Sequence, residues 1–284
     1  MHTRDMTQGK PLGLIVRFAL PMMLGSVFQQ LYTLVDASVV GQAYGVEALA
    51  AVGAADWLLW LSLGGLFGFT QGFSIWASQR FGAKDQPGLR KTLTASIRLT
   101  VILCVLLTVV TLLIARPTFA LLGTPAEIVD RSTRYLSVYI LGTIVVGGYN
   151  LFSSLLRALG DSRNPLIAMI IAAFLNICLD LLFVLVFDWG VEGAAAASVL
   201  GQLVSCVYCG ICLFRIPFFH LRRSDWKRDG SLDRNLLKLG LPTSAMAVII
   251  GVGGLVVQSV VNRFGATFLA GYTASESDDL RKAI

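Results

Sequence analysis

Phe18-Ala19-Leu20-Pro21-Met22-Met23-Leu24-Gly25-Ser26-Val27-Phe28-Gln29-Gln30-Leu31-Tyr32-Thr33-Leu34-Val35-Asp36-Ala37-Ser38-Val39-Val40-Gly41 contains a single charged side chain, Asp36, and the apolar run continues to Val46. About 20 mostly apolar residues span the hydrocarbon core as a helix. A carboxylate at that depth costs about 2.5–3.5 kcal/mol on the lenient insertion scale, so it is kept for a partner, an ion or a water-filled cavity. Outward from this stretch, five more runs qualify as spans: 57–79, 99–115, 135–156, 164–187 and 193–214. The third is short and needs its flanks, and the fifth is broken only by Asp180. A seventh, 239–262, follows a polar interval.

Hydrophobic residues make up 55% of the chain and charged residues 14%, with a mean hydropathy of +0.72. That composition predicts an all-α membrane protein, multi-pass in the cell membrane. The first run is too long for a removable signal peptide and lacks a small-residue cleavage pattern. The net charge of +6 does not point to nucleic acid, because its distribution has another cause. With a cytoplasmic amino terminus, seventeen Lys and Arg fall before helix 1 and after helices 2, 4 and 6. The outer loops of the first six helices hold three, Arg116, Arg131 and Arg134. This is the positive-inside asymmetry, and it predicts a solvated basic loop after helix 6 and membrane lipids as partners.

The five cysteines, Cys104, Cys178, Cys206, Cys209 and Cys212, all lie in apolar runs. Three-residue helical steps spread the last three over a wide arc, so packing between helices is expected rather than a metal centre. The two histidines, His2 and His220, sit in the terminal tail and the basic loop. Without a Walker loop, nucleophile elbow or zinc-protease motif, neither enzymatic activity nor a cofactor is expected.

Asp36 and Asp180 fall at similar depth, roughly 8–12 Å below the outer interface at about 1.5 Å per residue. Asn176 lies one turn before Asp180 on the same face, and Ser198 in helix 6 offers a hydroxyl at that depth. An oxygen-rich, thiol-free cluster of Asp36, Asn176, Asp180 and Ser198 suits Na⁺ or a proton better than a transition metal. Ser26, Gln29, Thr33 and Asp36 recur at three- and four-residue steps and form a stripe facing a cavity. Asp56 is a further cavity-lining candidate.

Phe18-Ala19-Leu20-Pro21 opens helix 1 and Leu239-Gly240-Leu241-Pro242 opens helix 7, with the prolines 221 residues apart. Tyr44-Gly45 with Leu49-Ala50 matches Phe264-Gly265 with Leu269-Ala270 after a one-residue gap. An even number of helices separates the copies, which makes this a parallel repeat of a two-half transporter. The expected organisation is a six-helix lobe (1–214), a basic cytoplasmic inter-lobe loop (215–238), the opening helix of a second lobe with its following loop (239–272), and a polar tail (273–284). The acidic stretch from Ser275 cannot begin another span, so the second lobe is expected to be missing and the chain truncated.

Phe18–Pro21, Gln29-Gln30-Leu31-Tyr32-Thr33-Leu34-Val35-Asp36, Val40-Gly41 and Glu47-Ala48-Leu49-Ala50-Ala51-Val52-Gly53 resemble the opening of multidrug and toxic compound extrusion (MATE) transporters. Arg157-Ala158-Leu159-Gly160-Asp161-Ser162-Arg163-Asn164-Pro165, Asn176–Asp180 and Gly190-Val191-Glu192-Gly193-Ala194-Ala195 are similar to the family's fourth-to-sixth-helix signature. The resemblance covers residues from about 12 to 272. It implies a twelve-helix, two-lobe antiporter exporting bulky, mostly cationic organic compounds in exchange for Na⁺ or H⁺. It also implies that Asp36, Asn176, Asp180 and Ser198 carry the ion, the last standing where the family has threonine. Glu47 and Arg157 belong to the same pattern, with loop positions that suit orientation and lobe closure. Two other readings stay open: a flippase for a lipid-linked oligosaccharide or another amphiphile, and a non-transporting membrane fragment. A cation-rich lining would favour the flippase, and the apolar runs contain no internal Arg or Lys.

Overall fold

In hydrocarbon every backbone N–H and C=O must be satisfied within its own segment, so apolar runs of this length become helices. The computed structural model describes residues 11–217 and 221–273, and all its regular elements are helical. They are α1 (Pro11–Gly82), α2 (Gln86–Leu121), α3 (Ala126–Leu141), α4 (Thr143–Ala158), α5 (Arg163–Asp180), α6 (Val191–Phe214) and α7 (Gly230–Val261). A π-helical turn, Leu181–Val186, prolongs α5, and short 3₁₀ turns follow α6 and α7. The polar tail beyond Thr273, and both histidines, lie outside the described residues.

α1 is two spans in one. Its 72 residues are interrupted at Gly45, where φ is +79°, a left-handed backbone that glycine adopts without penalty. We call 11–44 and 46–82 its first and second limbs. Gly265, the counterpart of Gly45 in the repeat, likewise has φ of +85°. Pro21 and Pro242 both lie inside their helices, so the matched segments share their proline as well as their glycine break. Across the repeat the two copies also touch: a Cβ on Gly53 would fall 2.0 Å from the Thr273 hydroxyl, and Ala50, Leu269 and Ala270 share one buried cluster.

The expected fourth span is broken. α3 and α4 meet at 50° around Gly142, where a Cβ would lie 2.5 Å from both Val199 methyls of α6. The bend lets the chain cross α6 at close range, a tertiary demand that the apolar run does not announce. The third span is extended by its flanks as expected, α2 reaching 36 residues with Pro117 inside it. At its start Asp85 caps the helix: the Gly88 amide donates to its carboxylate and, with Arg80 beside it, holds the group below the usual carboxylate range.

The loop after α6 is not freely solvated. Asp225 is buried against α2, pairing with Arg90 at 3.4 Å while its carbonyl accepts the Thr94 hydroxyl at 2.6 Å. Asp233, in the first turn of α7, pairs with Arg98 at 2.5 Å and with Arg228 at 3.5 Å. Two acids therefore fasten a basic connection to the lobe. Among the cysteines, Cys104 and Cys206 pack on Gly147 and Gly148 of α4, whereas Cys178 is exposed on the outer surface of the bundle.

α7 lies on the second limb of α1 through small residues, as membrane helices do when backbones approach closely. A Cβ on Gly68 would fall 2.3 Å from the Ser244 amide, and one on Gly72 2.4 Å from the Gly240 Cα. Gly72→Ala therefore has to push two backbones apart, and should destabilise the chain by about 1–3 kcal/mol. Gly253→Ala, on α7 with nothing within 4 Å of the added Cβ, serves as its control and should be neutral or mildly stabilising. Thermal unfolding in detergent distinguishes the two; equal midpoints would show that the small-residue contact does not hold α7.

Candidate functional site

The bundle encloses a groove of about 320 Å³ whose walls come from both limbs of α1 and from α3 to α6. The first limb presents Ser26, Gln29, Thr33 and Asp36 to it, so the helical stripe anticipated from spacing is one wall. Asp56 faces the groove from the second limb and Ser198 from α6. The Ser26 and Thr33 hydroxyls donate to the carbonyls of Met22 and Gln29 on their own helix, at 3.3 and 3.0 Å, which leaves their oxygens able to accept.

Asn176 and Asp180, both in α5, do not line the groove. They are 2% and 0% exposed, Ser198 is 6% exposed, and the Asn176 amide donates to the Ser198 hydroxyl at 3.3 Å. Close approach of α5 and α6 makes that contact, since a Cβ on Gly201 would lie 3.1 Å from the Ala172 carbonyl and 3.4 Å from the Asn176 Cβ. Asp36, 8% exposed, lies within electrostatic reach of Asp180. Of the four residues grouped from sequence, Asp36 and Ser198 line the groove, while Asn176 and Asp180 lie outside its lining and meet it through Ser198 and Asp36.

Its polar balance is one-sided. Asp36 Oδ1, Asn176 Oδ1, both Asp180 oxygens and Gln202 Oε1 are buried without a hydrogen-bond partner. Among the described residues neither carboxylate is in an ion pair. Buried acceptors without donors are expensive, and two neighbouring carboxylates need a shared proton or a cation between them. Oxygen donors of this kind fit a hard monovalent ion or a proton. No cluster of three His, Cys, Asp or Glu with metal-site geometry occurs among the described residues.

Three features escaped the sequence. Gln202 stands one turn after Ser198 and lies against the Tyr32 hydroxyl; the same four-residue stepping that found the helix-1 stripe points to it. Aromatic side chains, Tyr32, Trp60, Phe67, Tyr135, Tyr139 and Tyr149, line much of the groove, and no spacing rule separated them from core packing. Arg157 is not a loop residue: α4 continues to Ala158, and Arg157 is part of the groove lining. Glu47 is not a loop residue either: it stands in the first turn of the second limb of α1, exposed, and pairs with Arg131 at 2.9 Å.

Just outside the site, Tyr44 joins two elements. Its hydroxyl donates to the Val184 carbonyl in the π turn at 3.0 Å and accepts from the Gly190 amide at 2.9 Å. The end of the first limb is thereby tied to the segment that follows Asp180.

Comparisons with known proteins agree with this architecture. The MatE family model matches residues 21–182. A probable multidrug resistance protein of Bacillus subtilis, YpnP, is 29% identical over 282 residues, 98% of this chain and 62% of the relative. The inward-facing structure of a multidrug resistance MATE family transporter of the MOP superfamily superposes with a TM-score of 0.82 at 29% identity, over 92% of this chain and 60% of that one. A MOP superfamily transporter from Pyrococcus furiosus, described as having a binding pocket of reverse polarity that suggests a different function, gives 0.81 at 30% identity, over 87% of this chain and 55% of that one. The chain spans about 60% of the length of these relatives. With the family model covering more than half of it and the six-helix lobe plus seventh helix in place, this chain belongs to the MatE family of multi-pass membrane proteins.

Proposed function

We propose that this chain is the amino-terminal lobe and first second-lobe helix of an antiporter that exports bulky organic cations in exchange for Na⁺ or H⁺. Asp36, Asn176, Asp180 and Ser198 hold the coupling ion. The observation that carries this is the surplus of buried acceptor oxygens around Asp36 and Asp180, which a cation or proton satisfies. Relatives named as multidrug resistance proteins support the substrate class. Aromatic walls and carboxylates in one groove suit an organic cation, through cation–π attraction and charge.

Exchange follows from a shared charge. The coupling ion neutralises Asp36 and Asp180, and an organic cation drawn to Asp36 and Asp56 competes for the same negative field. Binding of one weakens the other, and that reciprocal coupling is what an antiporter requires. The polar stripe of the first limb has no counterpart on α7, where the matching positions are Ala247, Ile250, Gly254 and Val257, so ion binding belongs to the first lobe. The lobe ends near residue 214, with 215–238 as the connection and 239–272 opening the second lobe. A flippase acting on an anionic amphiphile is the second reading, favoured by Arg157 in the groove wall.

In the full-length protein reconstituted in vesicles, Asp36→Asn and Asp180→Asn should each abolish dye efflux, with Na⁺ and pH gradients imposed separately to identify the coupling ion. Each amide keeps size and hydrogen bonding but removes the charge. Asp180→Asn should at the same time raise thermal stability in the absence of Na⁺ by about 1–3 kcal/mol, because a buried unpaired carboxylate is replaced by a neutral group. Parental efflux by either variant would reduce that residue to packing.

The amino terminus and the basic loops face the cytoplasm in this proposal. Membrane-impermeant maleimide added to intact cells should leave Lys84→Cys and Arg223→Cys unlabelled and should label both after lysis. Efficient labelling of both from outside inverts the orientation.

A further inference from the structure

The groove has two unlike ends. Asp36 and Asp56 lie toward its outer end with Tyr135 and Tyr139, while Arg157, Ser162 and Pro165 lie at the end nearer the basic loops. Gly25, whose Cβ would sit 3.8 Å from Leu166, marks that inner level on the first limb. Asp36 is eleven residues further along the same helix, about 16 Å at 1.5 Å per residue.

Arg157 is half-buried, and among the described residues no carboxylate lies within ion-pairing distance of it. It donates a hydrogen bond to the Ser154 hydroxyl at 3.3 Å. The nearest acid in sequence, Asp161, is occupied: its carboxylate accepts from the Arg163 and Asn164 amides at 3.1 Å each and from the Asn164 side chain at 2.5 Å. A guanidinium keeps its charge under all ordinary conditions and presents donors in a fork that matches carboxylate and phosphate. Ser153 Oγ, one turn before it, is buried beside the Tyr149 side chain, and Asn150, one turn further, lines the groove and gives one amide N–H to the Val146 carbonyl at 2.9 Å, which leaves it a second N–H. Donors thus collect at the inner end as acceptors collect at the outer one.

We propose that Arg157, with Ser153 and Asn150, forms an oxyanion-binding subsite at the inner end of the groove. It receives the carboxylate or phosphate of a ligand whose cationic end, where it has one, lies toward Asp36 and Asp56. The anionic group comes either from a bipolar molecule in the groove or from a lipid headgroup reaching it from the adjacent leaflet. This rests on the reading of the groove as a substrate site for the cationic end alone; the anionic end stands on Arg157 and its neighbours.

The test uses the 284-residue chain purified in dodecyl maltoside and a matched pair of probes. 12-(Trimethylammonio)dodecanoate carries charges separated by a span like that of the groove, and its methyl ester differs only in lacking the carboxylate. By isothermal titration, Arg157→Gln should weaken the zwitterion by about tenfold or more, the scale of a lost charge-assisted hydrogen bond, and leave the ester within about twofold. Arg157→Lys should recover part of the loss, which a folding defect would not allow. Phosphatidylglycerol added to the micelles identifies the source. Competition with the zwitterion in the parent but not in Arg157→Gln assigns the subsite to lipid phosphate, and absence of competition assigns it to the groove ligand. Equal changes for both probes, no change for either, or no binding of the zwitterion to the parent would overturn the subsite. Ester binding insensitive to Asp36→Asn and Asp56→Asn would instead overturn the cationic-substrate reading, with the Arg157 result standing apart from it.

Discussion

Two buried carboxylates within electrostatic reach of one another, neither paired with a basic side chain among the described residues, set the terms for everything around them. Asp180 is fully buried and neither of its oxygens is bonded, and Asp36 lies within electrostatic reach. Such a pair persists only where a proton or cation offsets it, so the surrounding architecture has to admit one. Gly201 lets α5 and α6 approach until Asn176 and Ser198 hydrogen-bond, which fixes two neutral oxygen-bearing side chains beside the charges. Asp36 opens onto the groove, whose walls are rich in aromatic side chains that limit the water around it.

The outline of this arrangement is written in the sequence because membrane helices leave a coarse, strong signal. Apolar length located the spans, and isolated charges within them located Asp36 and Asp180. Gly45 and Gly265 show that the repeat is more than shared apolarity, since both adopt the same left-handed backbone at matching places. The break at Gly142 and the π turn after Asp180 were hidden for a common reason: the residues around them remain as apolar as any other span. Arg157 was visible but misplaced. A helix end shifted by two residues converts a loop cation into a groove cation, and apolar length does not resolve ends to that precision.

The connection after α6 taught a related lesson. Its basic excess is a signal of sidedness, and net charge says nothing about pairing. Asp225 and Asp233 are outnumbered in sequence and decisive in space, because each meets an arginine of α2 in partly dry surroundings. Pairs of that kind carry more weight than exposed ones such as Arg116 with Asp130, where both side chains are more than two-thirds in solvent.

That docked connection bears on how the protein is made. A chain inserted from its amino terminus presents α1 and α2 to the membrane long before α7 is synthesised. The glycine-lined second limb of α1 and the Arg90 and Arg98 side chains of α2 are then already in place as a template. Once α7 emerges, Asp225 and Asp233 clip the preceding loop to α2 while Gly240 and Ser244 settle on Gly72 and Gly68. The first helix of the next lobe is therefore received by a finished surface, and whatever follows it in biosynthesis starts from a fixed point and a fixed direction.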